Sequence, residues 1–161
     1  MIWEKESFRN PLRNRYHPVF EFMFIISKGS PKTFNGLKDR KNLYSGAKIH
    51  GTQRLSDGTT RDCHSNGETI GEYGLRHNVW RINSDRSNLG HPAPFPERLA
   101  IDHINTWSNE GDIVYDCFMG SGTKAAAAHK SKRQWIGSEI SKEYCDIADK
   151  RLLSYSNEIK F

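Results

Sequence analysis

Apolar residues in this chain gather into a few short runs separated by long polar stretches. Ile113-Val-Tyr-Asp116 is three β-formers running into an acid, followed by a small-residue loop and then Ala125 to Ala128. That order predicts strand, tight turn and helix, the helix covering Lys124 to Lys132. Trp135 to Ile140 predicts a second short strand with Glu139 near its end. Ser141 to Leu153 carries Tyr144, Ile147, Ala148 and Leu152 on one helical face, with Ser141 placed as N-cap. Upstream, Leu99, Ala100, His103, Ile104 and Trp107 recur at near-helical spacing over Glu97 to Trp107. Pro96 suits the first turn of that helix, where its missing N–H costs nothing. His91 to Pro96 holds three prolines, so the approach is expected to be extended and stiff.

The N-terminal part has its own pattern. Met1 to Glu4 is a short apolar start, and Ser7 to Pro18 is polar, basic and proline-punctuated. Val19 to Ser27 is the strongest strand signal in the chain, rich in aromatic and branched residues. Phe22 and Phe24 are expected in the core, while Phe20 is open between core and ligand contact. Gly29 to Asn88 is dense in Gly, Ser, Thr, Asn and Asp and has no helical period. Such long stretches are functional or disordered. Ser154 to Phe161 is polar and expected to fray.

The loop after Asp116 carries candidate chemistry. Gly120 and Gly122 permit a sharp bend and close approach of backbone to a ligand. The helix that follows aims its free N–H groups at the same spot. Glu139, at the end of the next strand, is placed to take two ribose hydroxyls. The loop lacks the third glycine of the dinucleotide fingerprint and the Gly-Lys-Ser/Thr of a phosphate loop. A ligand with a nucleoside but no pyrophosphate fits better than NAD or ATP, which argues against a nicotinamide-dependent oxidoreductase.

Composition adds bounds. The 161 residues suit one modest domain, and the net charge of +5 suits a polyanionic partner. Cys63, Cys117 and Cys145 share no Cys-x-x-Cys spacing, which argues for a reducing compartment and against a disulfide scaffold or zinc site. Cys63-His64 is an ordinary loop pair, and no metal ligands are assigned. No signal peptide or membrane span is visible, so a cytoplasmic location and no membrane partner are expected.

Asp116-Cys-Phe-Met-Gly-Ser-Gly-Thr123 resembles the Asp-Pro-Phe-x-Gly-Ser-Gly-Thr motif of the amino-group DNA methyltransferases, the N6-adenine and N4-cytosine types. His91-Pro-Ala-Pro-Phe-Pro-Glu-Arg-Leu99 is similar to the family segment that closes over the methionine part of the cofactor. Trp135 to Ile140 resembles the strand whose acid holds the ribose. The motif order resembles the β-type arrangement of the family, in bacterial or phage-encoded enzymes.

The resemblance implies a partial Rossmann-like α/β methyltransferase fold with a loop-rich insertion. It implies S-adenosylmethionine as cofactor, held by His91, Pro92, Phe95, Pro96, Asp116, Phe118, Gly120, Ser121, Gly122, Thr123, Glu139 and Ile140. It implies late sheet strands over 1–28, a target-recognition region over 29–88 and a cofactor portion over 89–161. Double-stranded DNA is the implied partner. Candidate contacts are Tyr16 and Phe20 near the flipped base, and Lys32, Lys38, Arg40, Lys41, Lys48, Arg54, Arg61 and Arg76 on phosphates.

The family's catalytic tetrapeptide, Asp/Asn/Ser-Pro-Pro-aromatic, is absent, since the chain has no Pro-Pro. Asn10-Pro11-Leu12-Arg13 lacks both the second proline and the aromatic, so no catalytic residue is assigned. In the family's sheet the strand carrying the catalytic loop and its neighbour lie between Ile113–Asp116 and Val19–Ser27, so two central strands are expected to be missing. Either the remaining pieces pair directly, a complementary N-terminal chain supplies the middle, or sticky strand edges promote self-association. Two functions follow: a methyltransferase portion that needs its N-terminal half, or an inactive remnant that binds only DNA or cofactor.

Overall fold

The computed structural model describes residues 1–5, 13–62, 68–83 and 95–156. His91, Pro92, Asn10, Pro11, Leu12, Cys63 and His64 lie outside the described residues. The strands are β1 (Ile2–Glu4), β2 (Phe20–Phe22), β3 (Arg40–Lys41), β4 (Thr52–Arg54), β5 (Thr60–Asp62), β6 (Tyr73–Gly74), β7 (Val79–Arg81), β8 (Ile113–Asp116) and β9 (Gln134–Gly137). The helices are α1 (Glu97–Trp107), α2 (Thr123–Lys130) and α3 (Lys142–Ser156). The chain forms two compact units, one of Met1–Asn35 with Asn78–Phe161, the other of Gly36–His77.

The first unit holds two separate sheets. In one, β1 lies between β2, antiparallel, and β7, parallel, with Trp3 opposite Trp80. Both tryptophans are buried, and the Trp3 indole N–H donates to the Ile82 carbonyl at 2.8 Å. In the other, β8 and β9 pair in parallel from Ile113 against Gln134 to Asp116 against Gly137. The two sheets do not pair with each other among the described residues.

Helix α1 reaches both sheets. Its His103 ring stacks 4.7 Å from Trp80, and His103 Nε2 lies 3.1 Å from Sδ of Met23, next to β2. Ala100 and Ile104 pack against Ala127 and Ala128 of α2, with Phe95, Ile101 and Val114 around them. Four consecutive alanines, 125 to 128, are essentially solvent-free, because a small side chain on every face lets neighbouring elements close in on α2. Asn35 finishes the C-terminal end of α1. Its backbone N–H donates to the Thr106 carbonyl at 2.8 Å, and its amide to the carbonyls of Asn105 and Ser108.

Three expectations need correction. The strand signal over 19–27 yields only Phe20–Phe22, with Met23 still bonded to Met1 and no strand beyond it. Phe22 and Phe24 are exposed rather than core, at 65% and 80%. Helix α3 runs through Ser156, where fraying was expected from Ser154. Its face nevertheless follows the periodicity: Ala148 is buried, with Tyr144, Ile147 and Leu152 partly so. The Tyr144 N–H donates to Ser141 Oγ at 3.4 Å, as an N-cap serine requires.

The unit Gly36–His77 lies inside the glycine-rich stretch and consists of short antiparallel pairs, β3 with β6 and β4 with β5. No helix of the described residues is long and apolar enough to cross a membrane.

His103 gives the first unit a titratable core contact. Burial pushes its pKa below the ordinary 6.5, outweighing Asp102, which raises it; the N-terminal ammonium adds to the depression. The unfolded chain therefore takes up a proton that the folded chain resists, and this contribution to stability is full above pH 6.5 and falls as the pH drops through the folded value. Urea midpoints at about pH 7.5 and about pH 5.5 are expected to differ less in His103→Gln than in the wild type. An equal difference in both proteins contradicts a half-buried, proton-resisting imidazole.

Candidate functional site

The C-terminal ends of β8 and β9 meet at one place, where open parallel sheets present ligand sites. Strand β8 delivers Asp116, whose side chain is buried. Lys124 Nζ, from the second residue of α2, donates to Asp116 Oδ1 at 2.8 Å and stands 5.9 Å above the Phe95 ring. The Phe118 N–H reaches the same carboxylate oxygen at 3.3 Å. The ammonium side chain is 43% exposed, so the pair joins a buried anion to an accessible cation.

The loop between β8 and α2 turns through two left-handed glycines, Gly120 at φ 53° and Gly122 at φ 78°. Gly122 is the N-cap of α2 and lies against α3: a Cβ there would sit 3.1 Å from Cβ of Ala148. Ser121 and Thr123 are buried. The Thr123 hydroxyl accepts from Arg151 of α3 at 3.0 Å, and the same guanidinium donates to Glu97 of α1 at 2.9 Å. Glu97 also accepts from Lys130 at 2.6 Å. Hydrogen bonding to Glu97 raises the Lys130 pKa above its ordinary value, so this ammonium stays charged. The loop is thereby tied to all three helices.

Glu139 follows β9 and connects the two motif loops. Its Oε2 accepts from the Gly120 N–H at 2.8 Å and its Oε1 from the Ser141 N–H at 3.0 Å. Phe118 and Ile140, at 85% and 102%, project apolar side chains into solvent at this same end of the sheet. Phe95 and Pro96 stand at the start of α1, Pro96 as its N-cap. The structure thus gathers Phe95, Asp116, Gly120 and Glu139 through direct contacts with Lys124 and between the loops. Sequence reasoning missed Lys124, Arg151 and Glu97. Lys124 carries a local signal, a cation eight residues after the strand's acid, whereas the Arg151–Glu97 contact spans 54 residues.

The candidate nucleic-acid residues divide between the units. Tyr16, Phe20 and Lys32 are exposed in the first unit. Lys38, Arg40, Lys41, Lys48, Arg54, Arg61 and Arg76 lie in the second. Arg40 donates to the Leu75 carbonyl at 3.0 Å, and Arg61 Nε to Gln53 at 3.1 Å. Arg76 forms a forked ion pair with Asp39, Nε lying 3.0 Å from Oδ1. Lys38, Lys41, Lys48 and Arg54 are exposed. Among the described residues no cluster of three or more His, Cys, Asp or Glu side chains is arranged to hold a metal ion.

A profile of the N6/N4 DNA methylase family, described as DNA methylase, matches residues 1–150. The chain belongs to that family. It is 52% identical over 164 residues to the orphan methyltransferase M.BamHII of Bacillus amyloliquefaciens, covering 96% of this chain and 62% of the relative. It is 30% identical over 155 residues to the type II methyltransferase M1.MboII of Moraxella bovis, covering 92% of this chain and 60% of that one. The crystal structure of the M1.HpyAVI–SAM complex matches with a TM-score of 0.58 at 28% identity, over 94% of this chain and 59% of that one. The chain therefore spans about three-fifths of the length of these relatives. Its fold is that of S-adenosylmethionine-dependent DNA methyltransferases, as the motif loop anticipated.

The Gly122 geometry makes a direct test. Gly122→Ala puts an L side chain into left-handed backbone and its Cβ against Ala148. It should lower the unfolding free energy by about 1–2 kcal/mol, read from urea midpoints. An unchanged midpoint contradicts the turn geometry.

Proposed function

We propose that this chain supplies the cofactor-binding and DNA-recognition portion of an enzyme that methylates an exocyclic amino group of adenine or cytosine in DNA. It acts with a segment carrying the catalytic tetrapeptide, as a fragment or split subunit. The observation that carries this is the convergence of the Gly120–Thr123 loop and Glu139 at the ends of β8 and β9, bonded to each other. The M1.HpyAVI–SAM complex and the family membership support S-adenosylmethionine as the ligand of that place.

The donor set fits such a ligand. Glu139 accepts the ribose hydroxyls while its two backbone bonds keep it in register with the loop. Phe118 and Ile140 flank the base as apolar platforms. Asp116 and Lys124 face the amino-acid end with an anion and a cation, complementary to an ammonium and a carboxylate. Phe95, beneath Lys124, and Pro96 close over the methionine part. Ser121, Gly122 and Thr123 complete the loop. The cofactor, when bound, supplies an activated methyl group. The chain's residues hold it and shield it from water, and the segment with the tetrapeptide polarises the target amine.

DNA is the polyanionic substrate. Lys32, Lys38, Lys41, Lys48 and Arg54 present exposed charge to phosphates, while Arg40, Arg61 and Arg76 also brace the loops that carry them. Tyr16 and Phe20, exposed in the first unit, support one edge of a flipped base.

Calorimetry with S-adenosylmethionine tests the cofactor site. Glu139→Ala should weaken binding by about 1.5–3 kcal/mol, and Glu139→Gln by less, because the amide oxygen still accepts. Urea midpoints of both variants separate lost ligand contact from lost loop bonding. Binding by folded Glu139→Ala that equals the wild type contradicts the ribose assignment.

A further inference from the structure

The unit Gly36–His77 exposes two apolar side chains where a turn usually carries polar ones. Leu43 is 92% exposed and Tyr44 72%, and they are adjacent at the tip of the turn after β3. The backbone beneath them is held on both sides by the opposite segment. The Asn42 N–H donates to the Glu72 carbonyl at 2.9 Å, and the Asn42 amide to the Gly71 carbonyl at 2.8 Å. On the other side the Gly46 N–H donates to the Ile70 carbonyl at 2.8 Å, and the Ile70 N–H to the Ala47 carbonyl at 2.9 Å. Within the turn the Ala47 N–H reaches the Tyr44 carbonyl at 3.1 Å, with Gly46 at φ 83° supplying the left-handed step. The tip is a fixed projection with an apolar end.

Cations bracket it. Lys41 precedes the turn and Lys48 follows it, both exposed and neither in an ion pair among the described residues. By contrast, the guanidinium groups of Arg40 and Arg76 are engaged within the unit. An aromatic and a branched aliphatic side chain between two lysines match a surface that alternates anionic backbone with flat apolar faces. Stacked nucleobases between phosphates are such a surface. Apolar side chains that enter a base step unstack it, and aromatic rings stack on exposed bases without regard to sequence.

We propose that Leu43 and Tyr44 form a wedge that stacks on or enters a base step of the DNA duplex, with Lys41 and Lys48 seating it on the flanking phosphates. This rests on the DNA-recognition role proposed above. It assigns the turn a task that helps chemistry on a base, since the target nucleotide must leave the stack at a cost in unstacking energy.

The experiment titrates the 161-residue protein against a duplex containing a fluorescent adenine analogue that brightens on unstacking, at several salt concentrations. Three proteins are compared: wild type, Leu43→Ser/Tyr44→Ser, and Lys41→Gln/Lys48→Gln. The lysine variant should show a salt dependence shallower by about two phosphate contacts. The wedge variant should bind about tenfold more weakly at every salt concentration with the wild-type salt slope, and should lose the fluorescence rise. All four side chains are exposed, so both variants should fold as the wild type does. Wedge-variant affinity and fluorescence equal to wild type overturn the wedge and leave DNA recognition standing. Wild-type protein that stays folded and binds no duplex at low salt overturns both.

Discussion

The seat of α1 is the constraint on which the rest of the first unit depends. One face of the helix presses Ala100 and Ile104 onto the alanines of α2, and another stacks His103 on Trp80 of the separate sheet. At its N-terminal end Glu97 accepts from Lys130 and from Arg151, and Arg151 holds the Thr123 hydroxyl. A shift of α1 would therefore be felt in the motif loop through a chain of charge-assisted bonds. Partly exposed ion pairs of this kind add modestly to stability, because solvent screens their attraction. Their effect here is positional: they fix how α1, α2 and α3 meet around Gly122 and Thr123.

The cofactor half was legible in the sequence because its elements are local. The β-formers before Asp116, the glycines, the alanine run and the Ser141 cap each declare themselves within a few residues, and the structure places them within one or two positions. What stayed hidden depended on contacts across the chain. No local pattern pairs Arg151 with Glu97, or joins Glu139 to the Gly120 N–H. Val19 to Ser27 failed for a different reason. An apolar run records that a surface is to be covered, not by which neighbour, and Phe22, Phe24 and Ile26 are exposed. The stretch 29–88 hid its short antiparallel pairs because two- and three-residue strands are too brief for a period to show.

The uncovered surfaces and the missing tetrapeptide have one explanation under the proposed function. In β8 the carbonyls of Asp112 and Asp116 accept from Gln134 and Ser138, so Ile113 and Tyr115 direct their backbone groups to the opposite edge. Their side chains are exposed too, at 61% and 63%, although parallel sheets are ordinarily covered on both faces. M.BamHII, 52% identical here, is matched over only 62% of its length. Under the proposed function, a segment that added strands at this edge would cover Ile113 and Tyr115.

Transfer of labelled methyl groups to unmethylated DNA of mixed sequence tests this account most directly. The purified 161-residue chain should transfer none above background. Adding a polypeptide that carries the tetrapeptide and its strands should produce transfer. Sustained turnover by the chain alone would contradict the account and place the chemistry on residues within this sequence, beginning with Asn10 and Pro11.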